Sequence, residues 1–322
     1  MNQTSAFSLY RLMKVQGIGP ARMHSMFDIS QNNGSALPII SSPDHWSHVL
    51  KPKEIESLQK TEEADGEEWK HLTELGVKIV TQWDNEYPSR LLRLLSKKAP
   101  PILFIRGNAD LLQSNSAGFC GSRKASEKGL KTAEDCAEQL ARKNINLVSG
   151  YAAGVDQAAH QTALKKGGTT TVVLPEGIFH FRIKKELRDF WDWSRVAIVS
   201  EFLPGRSWSV GNAMQRNSTI CALSNVMLLI EARVKGGSIE AGKICLNLGI
   251  PLFAPIYEGM PDSASGNQLL LQQGAHSLKR SSITGKANIE PLIKRLKEGT
   301  KPGEENQEKS VQLNLFGSIS GT

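Results

Sequence analysis

Cysteine is scarce in this sequence: four residues, Cys120, Cys136, Cys221 and Cys245, are spread along 322 positions. They form no C-x-x-C pair and stand near no cluster of histidines, which argues against structural disulfides and against a metal site. Long hydrophobic runs are also missing. No apolar stretch approaches the roughly 20 residues of a spanning helix, so a soluble chain without a membrane partner is expected. Met1 to Ser8 lack the basic patch and apolar stretch of a secretory signal, and the expected location is cytoplasmic. Negative charge is in deficit. Thirty-nine Lys and Arg face 32 Asp and Glu, and the net charge of +7 tilts the chain toward polyanionic partners.

At 322 residues the chain exceeds the roughly 250 to 300 residues of a single core, so one large α/β domain with smaller attachments is expected. The first segment reads as helical. Residues 8–15 and 20–27 form two short helices joined by Gly17-Ile18-Gly19-Pro20, with Pro20 suited to a first helical turn. That is the outline of a helix-hairpin-helix unit, whose turn either presents N–H groups to a phosphate or is a structural corner. Residues 43–76 continue helical and charged, with Trp46 and Trp69 as anchors of a small core.

From Val77 the pattern changes. Strands are expected at 77–81, 102–105, 118–120, 145–149, 170–174, 196–200, 226–230 and 251–254, with helices such as 127–143, 155–166 and 238–248 between them. This alternation implies a mainly parallel sheet covered on both faces, with ligands at the carboxyl ends of the strands. The expected division is a small helical domain at 1–75, the large α/β domain at 76–299 and a flexible tail at 300–322.

Four turns of the large domain carry unusual residues. In Gly118-Phe119-Cys120-Gly121-Ser122-Arg123 a strand ends in small residues, a hydroxyl and a guanidinium. Small residues admit a phosphate to the backbone, and Arg123 can fork onto its oxygens. The turn is not G-x-G-x-x-G, so a dinucleotide cofactor is not indicated. The second turn, Ser149-Gly150-Tyr151-Ala152-Ala153-Gly154-Val155-Asp156, precedes His160. Asp156 and His160 share a helical face and are expected to bond each other, orienting the turn in preference to acting as an acid/base couple. The third, Gly211 to Asn217, places Arg216 and Asn217 near a helix start. The fourth, Glu231 to Ser238, offers Lys235, Gly237 and Ser238 to an anion.

Taken in order, these motifs resemble the DprA/Smf family of DNA-processing proteins. The resemblance rests on Tyr87-Pro88 with Leu91 and Leu92, Pro100 to Phe104 ending in Arg106-Gly107, Gly121-Ser122-Arg123, Val148-Ser149-Gly150 with Gly154-Val155-Asp156 and Ala159-His160, and Ser200-Glu201. It continues through Gln215-Arg216-Asn217, Ile220 to Ser224, Ile230-Glu231-Ala232, Gly237 to Ala241 and Gly266-Asn267 with Gly274-Ala275. The ordered set is far more specific than any single turn.

The resemblance implies an extended Rossmann-type α/β fold with a small N-terminal helical domain of helix-hairpin-helix or SAM-like type. It also implies a homodimer that binds single-stranded DNA in a basic pocket and helps load a RecA-type recombinase in natural transformation, without catalysis or cofactor. The pocket residues would be Gly121, Ser122, Arg123, Ser149, Gly150, Gly154, Lys184, Lys185, Arg216, Asn217, Lys235, Gly237 and Ser238. Around Lys184, the cations Arg182, Lys185 and Arg188 interleave with Phe179, Phe181, Phe190 and Trp191. That segment reads as an amphipathic helix, apolar face inward and cations outward.

Departures from the family pattern are specific. Ala153 and Ser218 stand where the family has pocket arginines, and Ala213-Met214 replaces its Phe-Pro. Each missing phosphate contact lowers affinity and salt dependence. Instead of a C-terminal winged helix, a polar run at 301–310 precedes Gln312, Leu313, Leu315 and Phe316. This Gln-Leu-x-Leu-Phe resembles the peptide that docks on the replicative sliding clamp; the other reading is a strand folding back on its own domain. The alternative function is a nucleotide-binding sensor or nucleotide-cleaving enzyme akin to the lysine-decarboxylase-like Rossmann group. It would need a carboxylate in the cleft, for which Glu201, Glu231 and Glu240 are the candidates.

Overall fold

Two helices, α1 (Gln3–Lys14) and α2 (Pro20–Asn32), open the computed structural model, which describes residues 3–32, 49–256 and 259–298. Pro20 takes the first position of α2, where a missing N–H costs nothing. The long α3 (Pro52–Glu74) lies against α1 through charge and aromatic packing. Lys14 Nζ reaches Asp65 at 2.7 Å and Glu68 at 2.5 Å, and Trp69 stands 5.3 Å from Phe7 and 5.4 Å from Tyr10 between ring centroids. Trp69 is therefore a core anchor; Trp46 lies outside the described residues.

Nine strands follow: β1 (Val77–Thr81), β2 (Ile102–Gly107), β3 (Ser116–Cys120), β4 (Asn146–Ser149), β5 (Thr170–Val173), β6 (Val196–Ser200), β7 (Val226–Leu229), β8 (Leu252–Pro255) and β9 (His276–Leu278). They form one sheet in the order β1-β2-β6-β5-β4-β3-β7-β8-β9. From β6 to β9 every pairing is parallel, while β2 runs antiparallel to both β1 and β6. Eight strands fall where the sequence places them. The ninth escapes the pattern because its three residues contain no β-branched side chain and pair with β8 alone.

The remaining helices are α4 (Ser89–Leu95), α5 (Glu127–Ala141), α6 (Val155–Lys165), α7 (Val210–Leu223), α8 (Gly237–Asn247), α9 (Ser265–Gln272) and α10 (Glu290–Glu298). Alternation along the strands divides the two faces. On β2, Phe104 turns toward Leu9, Leu58 and Leu72 of the first helices, whereas Leu103 and Ile105 face Ile220 and Leu223 of α7. Leu147 packs with Ala137 and Leu140 of α5, while Val148 joins the opposite face. No helix among the described residues is long and apolar enough to cross a membrane.

The segment expected as an amphipathic helix near Lys184 is not one. It forms two short 3-10 turns, Ile178–His180 and Lys185–Phe190. The physical reason is that its carbonyls are taken by side chains: Arg195 donates to the Phe190 oxygen, Gln161 to that of Glu186, and Arg182 to those of Phe179 and Phe181. The division of faces survives, with Phe181 and Leu187 buried and Arg182, Lys185 and Arg188 exposed.

Candidate functional site

The chain leaves β3 for β4, β5 and β6 on one side, then returns to place β7 on the other. Strand order reverses between β3 and β7, and in open parallel sheets the crevice outside that point receives ligands. Here it widens into a cavity of about 570 Å³. Its walls are Gly121, Ser122, Arg123 and Lys124 after β3, Ala152 and Asp156 after β4, Met214, Arg216 and Asn217 of α7, and Arg233, Lys235, Gly237 and Ser238 after β7. All four turns singled out in the sequence converge there. Five cationic side chains face one carboxylate, and the N-terminus of α8 adds unpaired N–H groups.

The turn after β3 is shaped locally: Ser122 Oγ accepts from the Lys124 N–H at 3.1 Å, leaving Arg123 exposed at the rim. The turn after β4 lies deeper. Ser149 is fully buried and donates to the Phe119 oxygen at 2.7 Å, tying β4 to β3. Gly154 has φ +80°, and a Cβ there would strike the Ser122 oxygen, so this turn seats directly on the first. Ser149, Gly150 and Gly154 thus support the cavity from behind and do not line it.

Arg216 is the unusual residue. It is 6% exposed, and its Nε has no hydrogen-bond partner among the described residues. Burial draws its pKa down, opposed chiefly by the neighbouring Asp156 carboxylate. Burial in turn pushes the Asp156 carboxyl up, against the pull of Arg216 and of the Ala152 N–H, which it accepts at 3.3 Å. A buried guanidinium near one acid, with donor capacity unspent, has the chemistry to take an anion.

The expected bond between Asp156 and His160 does not form. Asp156 turns to the cavity and Arg216, while His160 points into the layer beneath. There its Nε2–H donates to the Gly150 oxygen at 2.6 Å, and Nδ1 lies 2.6 Å from Thr170 Oγ1. Burial lowers the His160 pKa to about 4, so the ring is neutral and structural at physiological pH.

Other expected residues separate. Lys184 stands beside the cavity, its Nζ donating to the Tyr151 oxygen at 2.7 Å and lying 4.4 Å from the Tyr151 ring centroid. Lys185 is exposed and lines no wall of it. Asn217 Nδ2 donates to the Gly237 oxygen at 3.4 Å, linking α7 to the fourth turn. Trp208 and Arg233 were not among the expected site residues, yet both line the cavity. The signal for Trp208 was an aromatic residue directly before Ser209, which caps α7.

None of the three candidate catalytic glutamates lines the cavity. Glu201 is buried and accepts from the Thr219 hydroxyl. Glu231 accepts from Ser126 N at 2.9 Å and Ser263 Oγ at 2.6 Å, fastening the start of α5 to the loop before α9. Glu240 pairs with Lys243 at 2.8 Å. Their buried or paired positions answer to structural needs. The Gln312 to Phe316 motif lies outside the described residues.

Fold and site together define a doubly wound α/β protein with a cation-lined cavity at its switch point. The family model for DNA recombination-mediator protein A matches residues 78–286, and the chain belongs to that family. Among its relatives, DNA processing protein DprA of Streptococcus pneumoniae is 32% identical over 197 residues, covering 60% of this chain and 67% of the relative. The X-ray structure of that organism's DprA superposes with a TM-score of 0.72 at 26% identity, over 85% of this chain and 94% of the other. DNA processing protein A of Helicobacter pylori, whose structure is described for its single-stranded DNA binding mode, shares the fold. Its TM-score is 0.56 at 23% identity, over 69% of this chain and 96% of the other.

Proposed function

We propose that this chain binds single-stranded DNA by its phosphates in the β3/β7 cavity, protects the strand and passes it to a RecA-type recombinase. The observation that carries the reading is Arg216, a buried guanidinium with an unpartnered Nε among four further cations and a single acid. Membership of a recombination-mediator family supports the same ligand. The protein acts by binding, not by chemistry of its own, as a cytoplasmic homodimer. Residues 1–75 serve as a helical attachment to the DNA-binding body at 76–299, and residues 300–322 as a tether whose Gln312, Leu313, Leu315 and Phe316 engage the replicative sliding clamp.

Fluorescence anisotropy of labelled oligo-dT at several salt concentrations, with a duplex competitor, tests the ligand. Binding that prefers the single strand and falls steeply with salt is expected. Saturable binding of a mononucleotide that survives high salt, with no binding of oligo-dT, would replace the reading by the nucleotide-sensor alternative. For the tether, removal of residues 311–322 is expected to abolish clamp association while leaving oligo-dT binding intact; loss of both would assign the tail to the core.

A further inference from the structure

A second hollow, about 400 Å³ in volume, is lined by Arg106, Phe181, Arg182, Ile183, Arg188 and Trp193. Three guanidinium groups face it and no carboxylate lines it. Arg106, at the end of β2, lies with its guanidinium carbon 4.7 Å from the Trp193 ring centroid, and among the described residues its side chain makes no hydrogen bond or ion pair. The indole fixes the plane of the guanidinium while leaving its donors unspent. Arg182 is anchored to the wall by its bonds to the Phe179 and Phe181 oxygens, at 2.8 and 2.7 Å. Arg188 is exposed and likewise has no side-chain partner among the described residues. Asp192, adjacent to Trp193, is committed to Ser194 and Arg195 of its own turn and neutralises none of the three.

The hollow connects to the first cavity through two residues. Lys184 is held on the Tyr151 oxygen, in the electrostatic field of Asp156, Glu186 and Arg123. The Tyr151 ring lies 5.5 Å from that of Phe181, on the wall of the second hollow. Between the two hollows, each with unpaired guanidinium donors, stand Lys184 and Tyr151. A single strand leaving the first cavity past them would meet unpaired guanidinium groups, which suit phosphates and the faces of unstacked bases.

Resting on the single-strand reading above, we propose that this hollow is a second phosphate subsite for the same strand, so that affinity depends on strand length. Arg106 and Arg188 hold the phosphates, Trp193 orients Arg106, and Lys184 bridges the two subsites.

The test compares oligo-dT of about 4 and about 16 nucleotides, which bracket occupation of one site and of a longer track. Intact protein is measured beside Arg106→Gln with Arg188→Gln, and beside Arg188→Glu alone, whose exposed side chain leaves folding unaffected. The double variant is expected to bind the long strand roughly tenfold more weakly. Its slope of log affinity against log salt should fall by about 1.4, two phosphates at roughly 0.7 each. The short strand should be bound as before, and Arg188→Glu should show the same selective loss. Unchanged affinity for the long strand, or equal loss for both lengths, would overturn the subsite. Failure of the unmodified protein to bind either strand would instead sink the DNA reading, and the subsite with it.

Discussion

The Arg216 guanidinium occupies the space that a side chain at Gly150 would need: a Cβ built there overlaps Arg216 Nη1 and Asp156 Oδ2. Glycine is required at 150 for room, since its backbone angles are open to any residue. Gly150→Ala is expected to displace the guanidinium, to cost about 1–3 kcal/mol as overpacking does, and to weaken oligo-dT binding. Denaturation and anisotropy on one preparation check both effects. Unchanged affinity would show that Arg216 does not touch the strand.

Arg123 and Arg216 should behave differently despite sharing a cavity. Arg123 is exposed, so Arg123→Ala is expected to leave thermal stability within about 0.5 kcal/mol and to reduce the salt slope by about 0.7, one single-strand phosphate contact. Arg216→Ala strips Asp156 of its buried counter-charge and is expected to cost about 3 kcal/mol in addition. Equal melting temperatures for the two variants would contradict the electrostatic coupling of the two buried groups.

Most of the fold is legible in the sequence because the parallel strands, buried on both faces, are written as short apolar runs; six of them and the two antiparallel strands β1 and β2 can be read directly. The four turns are legible as well, since glycine, hydroxyl and cation cluster in each. What the sequence does not show is which groups a side chain meets in space. Asp156 and His160 sit at the right spacing to bond, but Asp156 accepts the Ala152 N–H of its own turn and lies in the field of Arg216, which arrives from a helix some sixty positions later. The residues near Lys184 have helical apolar spacing, yet guanidinium groups from Arg182 and Arg195 claim their carbonyls. Arg106 and Trp193 are far apart in sequence and become neighbours only through the pairing of β2 with β6.

His160 gives a pH dependence of known sign. Its folded pKa of about 4 lies below the unfolded value near 6.5, so the unfolded chain binds the extra proton between them. The contribution is fully present above about pH 6.5 and is lost as pH falls toward 4, with the whole shift worth on the order of 3 kcal/mol. His160→Gln is expected to be less stable at neutral pH but to lose less on acidification. Urea midpoints across that window decide it; parallel curves for the two proteins would mean the ring is not held neutral.

Glu201 should act in the opposite direction. Burial raises its carboxyl above the ordinary value, and one of its oxygens, Oε1, has no partner. The folded chain therefore keeps a proton that the unfolded chain releases. Stability from this group is present at low pH and lost as pH rises from the ordinary carboxylate range, about 4.3, through the raised folded value. Glu201→Gln removes the titration, so the variant is expected to gain on the parent protein as pH rises through that window. A constant difference between the two across the window would refute a raised Glu201.

Ala153 tests the ligand by addition rather than loss. It is exposed and follows the cavity-lining Ala152. Its φ is not positive, so a long side chain introduces no backbone strain. Ala153→Arg places a cation at the rim without burying it, so stability should stay within about 0.5 kcal/mol. If the strand passes this rim, oligo-dT binding tightens and the salt slope steepens by about 0.7. If affinity and slope both stay fixed while Arg123→Ala still weakens binding, the strand enters past Arg123 and leaves away from Ala153.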